Sequence, residues 1–122
     1  MKYVFIITAL LVTLNISAQQ KVLLDQLEDI ENRASEEFKQ AMTPSEGGLY
    51  LFARKFNIQG AYTFKISIGD KNKVTSVFVL EREGGDIQMQ NKVKDAIKDI
   101  KFDTFKVPKG KQYNIKYTFN FN

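Results

Sequence analysis

The stretch from Gly60 to Phe121 constrains the fold most, because strand-like and helix-like patterns follow one another with little chain between them. Apolar and polar residues alternate from Tyr62 to Ile68, and the polar segment 69–73 separates this run from a second apolar run at 74–81. Alternation of this kind is typical of strands that are buried on one face. The short polar segment between the runs predicts an antiparallel hairpin.

A helix and a last strand complete the pattern. After Gly84 and Gly85, apolar residues recur at helical spacing from Met89 to Ile100, which indicates an amphipathic helix packed on the sheet. The closing strand alternates again, and on one of its faces lie Tyr113, Ile115, Tyr117, Phe119 and Phe121. A right-handed crossover through the helix gives the spatial order second, first, last. The last strand is therefore expected at an edge of the sheet, where another chain can add on.

A second amphipathic helix of about six turns is predicted from Lys21 to Met42, where apolar residues recur at steps of three and four. Thr43-Pro44 and Gly47-Gly48 are expected to end it. Its apolar stripe has two interpretations, which are packing on the domain's own sheet and docking onto a partner or a second copy. The next segment, 49–58, has the spacing of a short helix with Arg54 and Lys55 inside an apolar stretch.

These patterns predict an α+β fold with a small three-stranded antiparallel sheet of order 2-1-3, an amphipathic helix packed on it, and a long N-terminal helix before it. Residues 1–18 are predicted to be a secretory signal peptide, because Lys2 precedes an apolar run that ends in Ser17 and Ala18. This run is shorter than the roughly 20 residues of a membrane span. Cleavage after Ala18 is expected, and the alternative is that the segment is retained as an anchor. Residues 19–59 are then predicted to form the N-terminal helix and a linker, and residues 60–122 a domain.

Several reaction chemistries are excluded, since the chain contains no His and no Cys. Catalytic triads based on either residue, thiol nucleophiles and the usual zinc sites all need them. The carboxylate pair Asp95 and Asp99 has the spacing of solvated ion pairs on a helix, and Glu81 and Glu83 border the end of a hairpin. We expect no enzymatic activity, no catalytic or metal-binding residues and no cofactor. Export without cysteine suits a bacterial periplasm.

Positive charge is concentrated near the C-terminus, where the segment from Lys92 to Lys116 holds eight Lys against three Asp, a local charge of +5. In a cytosolic protein this would suggest a nucleic-acid partner. The predicted signal peptide argues against one. Four interpretations of this charge stay open. It could contact an anionic lipid surface peripherally, an acidic glycan or an acidic protein surface, or it could only make the domain soluble.

The order and spacing of these residues resemble the C-terminal domain of TonB over residues 58–122. The likeness rests on Gly60 before the first strand, Val93, Ala96, Ile97, Ile100 and Phe102 around the helix, Lys109-Gly110-Lys111, and the ending Phe119-Asn120-Phe121. The resemblance implies a periplasmic domain that binds the plug segment of outer-membrane receptors by strand addition. The recipient strand implied by the resemblance comprises Tyr113, Asn114, Ile115, Lys116, Tyr117, Thr118 and Phe119.

The chain departs from that family in three ways. TonB proteins carry an N-terminal transmembrane helix, a long Pro-rich spacer and a Tyr-Pro near the domain's entrance, whereas this chain has a predicted cleaved signal, only Pro44 and Pro108, and Tyr50-Leu51. We therefore expect an exported interaction module that captures an extended segment of an envelope or outer-membrane protein without transducing energy. The alternative is a periplasmic structural or accessory protein whose N-terminal helix makes the contact. A dimer is compatible with either.

Overall fold

A computed structural model describes residues 21–122 of the protein, so the signal-peptide prediction for residues 1–18 lies outside the described residues. The elements, in chain order, are β1 (Val22–Leu23), α1 (Leu27–Ala41), α2 (Gly48–Phe56), β2 (Ala61–Gly69), β3 (Lys73–Glu83), α3 (Ile87–Lys98), β4 (Phe105–Lys106) and β5 (Tyr113–Asn120). Helices and a three-stranded antiparallel sheet together confirm the predicted mixed fold class. No helix within residues 21–122 has the length and apolar character needed to cross a membrane.

The main sheet has the order β3-β2-β5, and both pairs are antiparallel. The strand β2 lies in the centre, and its inner side chains form the middle of the core. Four of them are fully buried, and they are Tyr62, Phe64, Ile66 and Ile68. The β2–β3 pairing has two irregularities, between Thr63 and Phe64 and between Ser67 and Ile68, whereas the β2–β5 pairing has none.

Two helices cover the same face of this sheet. The helix α3 packs against β3 and buries Val93 and Ile97, and its N-terminus is capped by Asp86, whose Oδ1 accepts a hydrogen bond from the Met89 amide at 2.8 Å. The helix α1 lies over β5 and buries Ile30, Ala34 and Phe38. The apolar stripe of α1 thus packs on the protein's own sheet. The opposite face of the sheet has no helix on it among the described residues.

The predicted start of the N-terminal helix is wrong. The helix begins at Leu27 instead of Lys21, because residues 22–24 form backbone hydrogen bonds with the segment 104–106. The Val22 amide donates to the Thr104 carbonyl at 3.3 Å, and β1 and β4 form a small parallel pair. This change of conformation removes the start of the predicted stripe from the core. Leu23 and Leu27 are 59% and 50% exposed.

An aromatic cluster and a set of polar contacts hold α1 in place. The Phe38 ring lies 5.6 Å from Phe102, 5.0 Å from Tyr117 and 5.0 Å from Phe119, measured between ring centroids. On the flank of the same helix, the two Glu37 carboxylate oxygens accept hydrogen bonds from the amides of Asp103 and Thr104, each at 3.0 Å. The helix is therefore tied both to the sheet and to the segment that follows α3.

Gly60 joins the ends of all three strands of the main sheet. Its φ angle is +101°, and an added Cβ would lie 2.9 Å from the Glu83 carbonyl oxygen, so both its conformation and its surroundings favour glycine. The Gly60 carbonyl accepts a hydrogen bond from the Phe121 amide at 2.9 Å, and its own amide donates to Asn122 Oδ1 at 3.0 Å. This corner fixes the register of β5 against β2.

Candidate functional site

The outer edge of β5 is uncovered among the described residues and regular along its whole length. The Phe121 amide donates to the Gly60 carbonyl, and the β2–β5 register runs without a shift from Ala61↔Asn120 to Ile68↔Tyr113. In an antiparallel pair, every second residue of β5 therefore directs its amide and carbonyl towards β2. The residues between them direct these groups outwards. They are Asn114, Lys116, Thr118 and Asn120, and all four are exposed. In the part of the chain that the structure describes, β5 pairs with β2 alone.

The other edge of the sheet is covered at the start of β3 and is irregular. At β3 the Val74 amide donates to the Ile100 carbonyl at 3.4 Å, and the Phe102 amide donates to the Asn72 carbonyl at 2.9 Å. A bridge between Lys73 and Lys101 extends this cover, and the two irregularities of the β2–β3 pair interrupt the edge further on. Natural sheets protect their edges by such bulges and covering segments. The regular and uncovered β5 edge is therefore the candidate binding site.

The sheet face beside this edge carries an unfavourable pair of charges. Lys65 and Lys116 are direct cross-strand partners, both are exposed, and they belong to the closely spaced pairs that exchange no backbone hydrogen bonds. Like charges placed opposite each other destabilise a sheet. The Lys65 Nζ lies 5.7 Å from the centroid of the Phe78 ring, and that ring is 62% exposed. Glu81 and Glu83 of β3 lie on the same exposed face, so the positive charge is confined to its β5 side.

The seven site residues predicted from the sequence divide into two sets. Tyr113, Ile115, Tyr117 and Phe119 point towards the helices and anchor the strand, and burial raises the pKa of the Tyr117 phenol. The Tyr113 hydroxyl donates to the Asp25 carbonyl at 3.0 Å. The other three predicted residues, Asn114, Lys116 and Thr118, carry the outward backbone groups. Thr118 also exchanges a hydrogen bond of 2.8 Å with Thr63 between their hydroxyl groups.

A cleft at the C-terminal end of β5 is part of this region, and the sequence reasoning missed it. It has a volume of about 440 Å³ and lies between the end of α2 and the last residues of the chain as given, with Tyr50 and Arg54 on one side and Asn120 and Asn122 on the other. The Arg54 Nη1 donates to the Tyr50 hydroxyl at 3.2 Å. One sequence signal pointed here, namely the charged Arg54 inside an otherwise apolar segment.

Comparison with protein-family models, with curated proteins and with solved structures found no match to this chain. Within residues 21–122 no group of three or more acidic, His or Cys side chains is placed to hold a metal ion. The β5 edge offers outward backbone donors and acceptors, the basic side chain of Lys116 and an adjoining cleft.

Proposed function

We propose that this protein is an exported, periplasmic interaction module that takes up an extended segment of an envelope or outer-membrane protein as an additional strand on β5. The observation that carries the proposal is the regular edge of β5, with the outward backbone groups of Asn114, Lys116, Thr118 and Asn120 exposed. The sequence pattern of residues 1–18 supports export, and the resemblance of residues 58–122 to the TonB C-terminal domain supports strand addition.

Four outward residues offer one donor and one acceptor each, so an added strand gains up to about eight backbone hydrogen bonds. Each such bond contributes roughly 0.5–1.5 kcal/mol net, and ordering a flexible segment offsets part of the sum. Backbone pairing alone therefore gives moderate affinity. Side chains must supply selectivity, and Lys116, which lies on the edge strand itself, favours a segment with acidic residues.

The alternative function, contact through the N-terminal helix, has less support. Its apolar stripe is occupied, because Ile30, Ala34 and Phe38 are buried against the sheet. A charge at Ile30 would unfold the domain instead of testing a contact. Leu27 is exposed and stays suitable for such a test. Energy transduction is not part of the proposed role.

The proposed function predicts that Thr118→Pro abolishes binding while the domain stays folded. Proline removes the outward amide of residue 118, which has no role in the β2–β5 pairing. Peptides of twelve random residues displayed on phage would be selected on the full-length protein, and their affinities measured by fluorescence polarisation. We expect the proline variant to bind at least about tenfold more weakly, a loss of about 1.4 kcal/mol or more.

Thr118→Val is the matched control, because it removes the hydroxyl bond to Thr63 but keeps the backbone amide. It should bind within about threefold of the wild type. In the bound state, hydrogen exchange should slow at the amides of Asn114, Lys116, Thr118 and Asn120. Circular dichroism and thermal melts check that the proline variant is folded. Unchanged affinity in a folded proline variant, or selected peptides that leave these four amides in fast exchange, would rule out strand addition on β5.

A further inference from the structure

We propose that a surface on helix α2, the α2 patch, attaches the protein to a membrane that contains anionic lipids. The α2 patch comprises Leu51, Phe52, Lys55 and Phe56 of α2 together with Lys92 of α3. This inference goes beyond the proposed function, because it concerns a surface other than the β5 edge and a ligand other than an extended protein segment.

The apolar side chains of the α2 patch are exposed. Leu51 is 52% exposed and Phe56 is 39% exposed, and the Phe52 ring lies 4.9 Å from the Phe56 ring, measured between centroids. Leu51 and Lys55 are four residues apart on the helix, as are Phe52 and Phe56, so these four side chains lie beside one another. Single exposed apolar residues are ordinary, but a contiguous group of them indicates a surface that interacts.

Two lysines from different helices lie over the same ring of the patch. The Lys55 Nζ is 5.4 Å from the centroid of the Phe56 ring, and the Lys92 Nζ is 4.7 Å from it. Lysine side chains cover apolar surface with their methylene stems while the ammonium group stays in water. The patch thus has an exposed apolar centre with ammonium groups around it.

The charge around the α2 patch is positive. Helix α2 contains Arg54 in addition to Lys55 and has no acidic residue, and the nearest acidic residue before it in the chain is Glu46. On α3 the charges of the segment 94–99 cancel, and the Asp86 carboxylate is engaged as the helix cap. A surface with this charge attracts anionic groups.

Local effects explain part of this arrangement. A lysine over an aromatic ring stabilises the folded chain, and Lys55 in the last turn of α2 also offsets the helix dipole. Neither effect requires a second lysine on the same ring or an exposed Leu51 on the same side of the helix. The combination indicates a ligand that is anionic at its surface and apolar below it.

A membrane fits this combination better than a protein partner does. Lysine is depleted in protein–protein interfaces, and burying its ammonium group without a partner is costly. At a bilayer surface, Leu and Phe side chains enter the boundary between headgroups and acyl chains, while lysine ammonium groups stay at the level of the phosphates. Each basic residue near an anionic lipid surface strengthens binding about fivefold.

The test places a single tryptophan in the α2 patch, since the chain contains none. Leu51→Trp is compared with Ile87→Trp, because Ile87 is 56% exposed and lies outside the patch. Each variant is expressed as the full chain in its host, purified in the form that accumulates there, and titrated with vesicles. One set of vesicles contains equal parts of phosphatidylglycerol and phosphatidylethanolamine, and the neutral control contains phosphatidylcholine alone.

We expect the tryptophan emission of Leu51→Trp to shift to the blue on the anionic vesicles and to stay unshifted on the neutral ones. The emission of Ile87→Trp should not shift on either. Any part of the segment 1–18 that remains on the chain would act on both kinds of vesicle, so the comparison between them removes its contribution. Far-UV circular dichroism checks that each variant is folded.

Charge variants in the Leu51→Trp background sharpen the result. Lys55→Gln and Lys92→Gln should each raise the lipid concentration at half the shift about fivefold. Lys109→Gln removes the same charge outside the patch, and in about 0.1 M NaCl it should change this concentration less than about twofold. The assignment is overturned by an equal shift for Ile87→Trp, by an equal effect of the three lysine variants, or by no shift on anionic vesicles, which is the outcome for a patch that binds an acidic protein. Each of these results leaves strand addition on β5 standing.

Discussion

Phe38→Ala tests whether the N-terminal helix is an integral part of the folded domain. The Phe38 side chain is 1% exposed and contacts the rings of Phe102, Tyr117 and Phe119. Truncating a buried Phe to Ala costs about 3–5 kcal/mol, through lost burial and the cavity left behind. Each aromatic pair contributes about 0.5–1.5 kcal/mol beyond burial, so we expect a value near the upper end.

A loss of about 4 kcal/mol is a large part of the roughly 5–15 kcal/mol that stabilises a typical domain. It should lower the melting temperature by about 15 °C or more. Urea unfolding followed by far-UV circular dichroism is the suitable assay, since the chain contains no Trp. The control is Asn32→Ala, on the exposed side of the same helix, which should cost less than about 0.5 kcal/mol. A loss below about 1 kcal/mol for Phe38→Ala would refute the packing of this helix on the sheet.

Two further predictions concern Gly60 and Lys116. Gly60→Ala should destabilise the protein by at least about 1 kcal/mol more than Gly110→Ala. Both glycines have positive φ, but of the two only Gly60 has backbone atoms where an added Cβ would lie. Equal losses of stability in urea unfolding would contradict the described contacts of Gly60. Lys116→Gln should stabilise the protein by about 0.2–1 kcal/mol by removing the repulsion from Lys65, with Lys109→Gln as the control of equal charge change. The gain should shrink in 1 M NaCl, and a loss of stability at low salt would contradict the like-charge pair.

The alternating patterns of β2 and β5, the apolar run of β3 and the helical spacing of α3 could be recognised in the sequence, because each is a local pattern. Tyr62, Phe64, Ile66 and Ile68 are buried as the alternation indicates. Val93 and Ile97 face the core as the helical spacing indicates. The closing strand Tyr113–Asn120 also follows its alternating pattern. The strand that carries the candidate edge therefore consists of residues that the sequence indicated. These features needed no information from distant parts of the chain.

The start of α1 was not readable in the same way. Leu23 and Leu27 continue the helical spacing of the stripe, but the backbone of residues 22–24 instead bonds to the segment 104–106, far away in sequence. Two-residue strands such as β1 and β4 carry no period of their own. The cleft was missed for a related reason, since Arg54 and Asn120 meet only when α2 and the end of β5 have been folded against each other.

The contrast between the two sheet edges links the stability of the fold to its proposed use. A regular uncovered edge invites pairing with any extended chain, and a charged side chain beside such an edge limits indiscriminate pairing. Lys116 provides this charge, although its position opposite Lys65 costs stability in the free protein. In the proposed role, an acidic segment paired with β5 would relieve this repulsion. The same charge would oppose a basic strand, so the proposed role predicts that β5 prefers an acidic segment to a basic one.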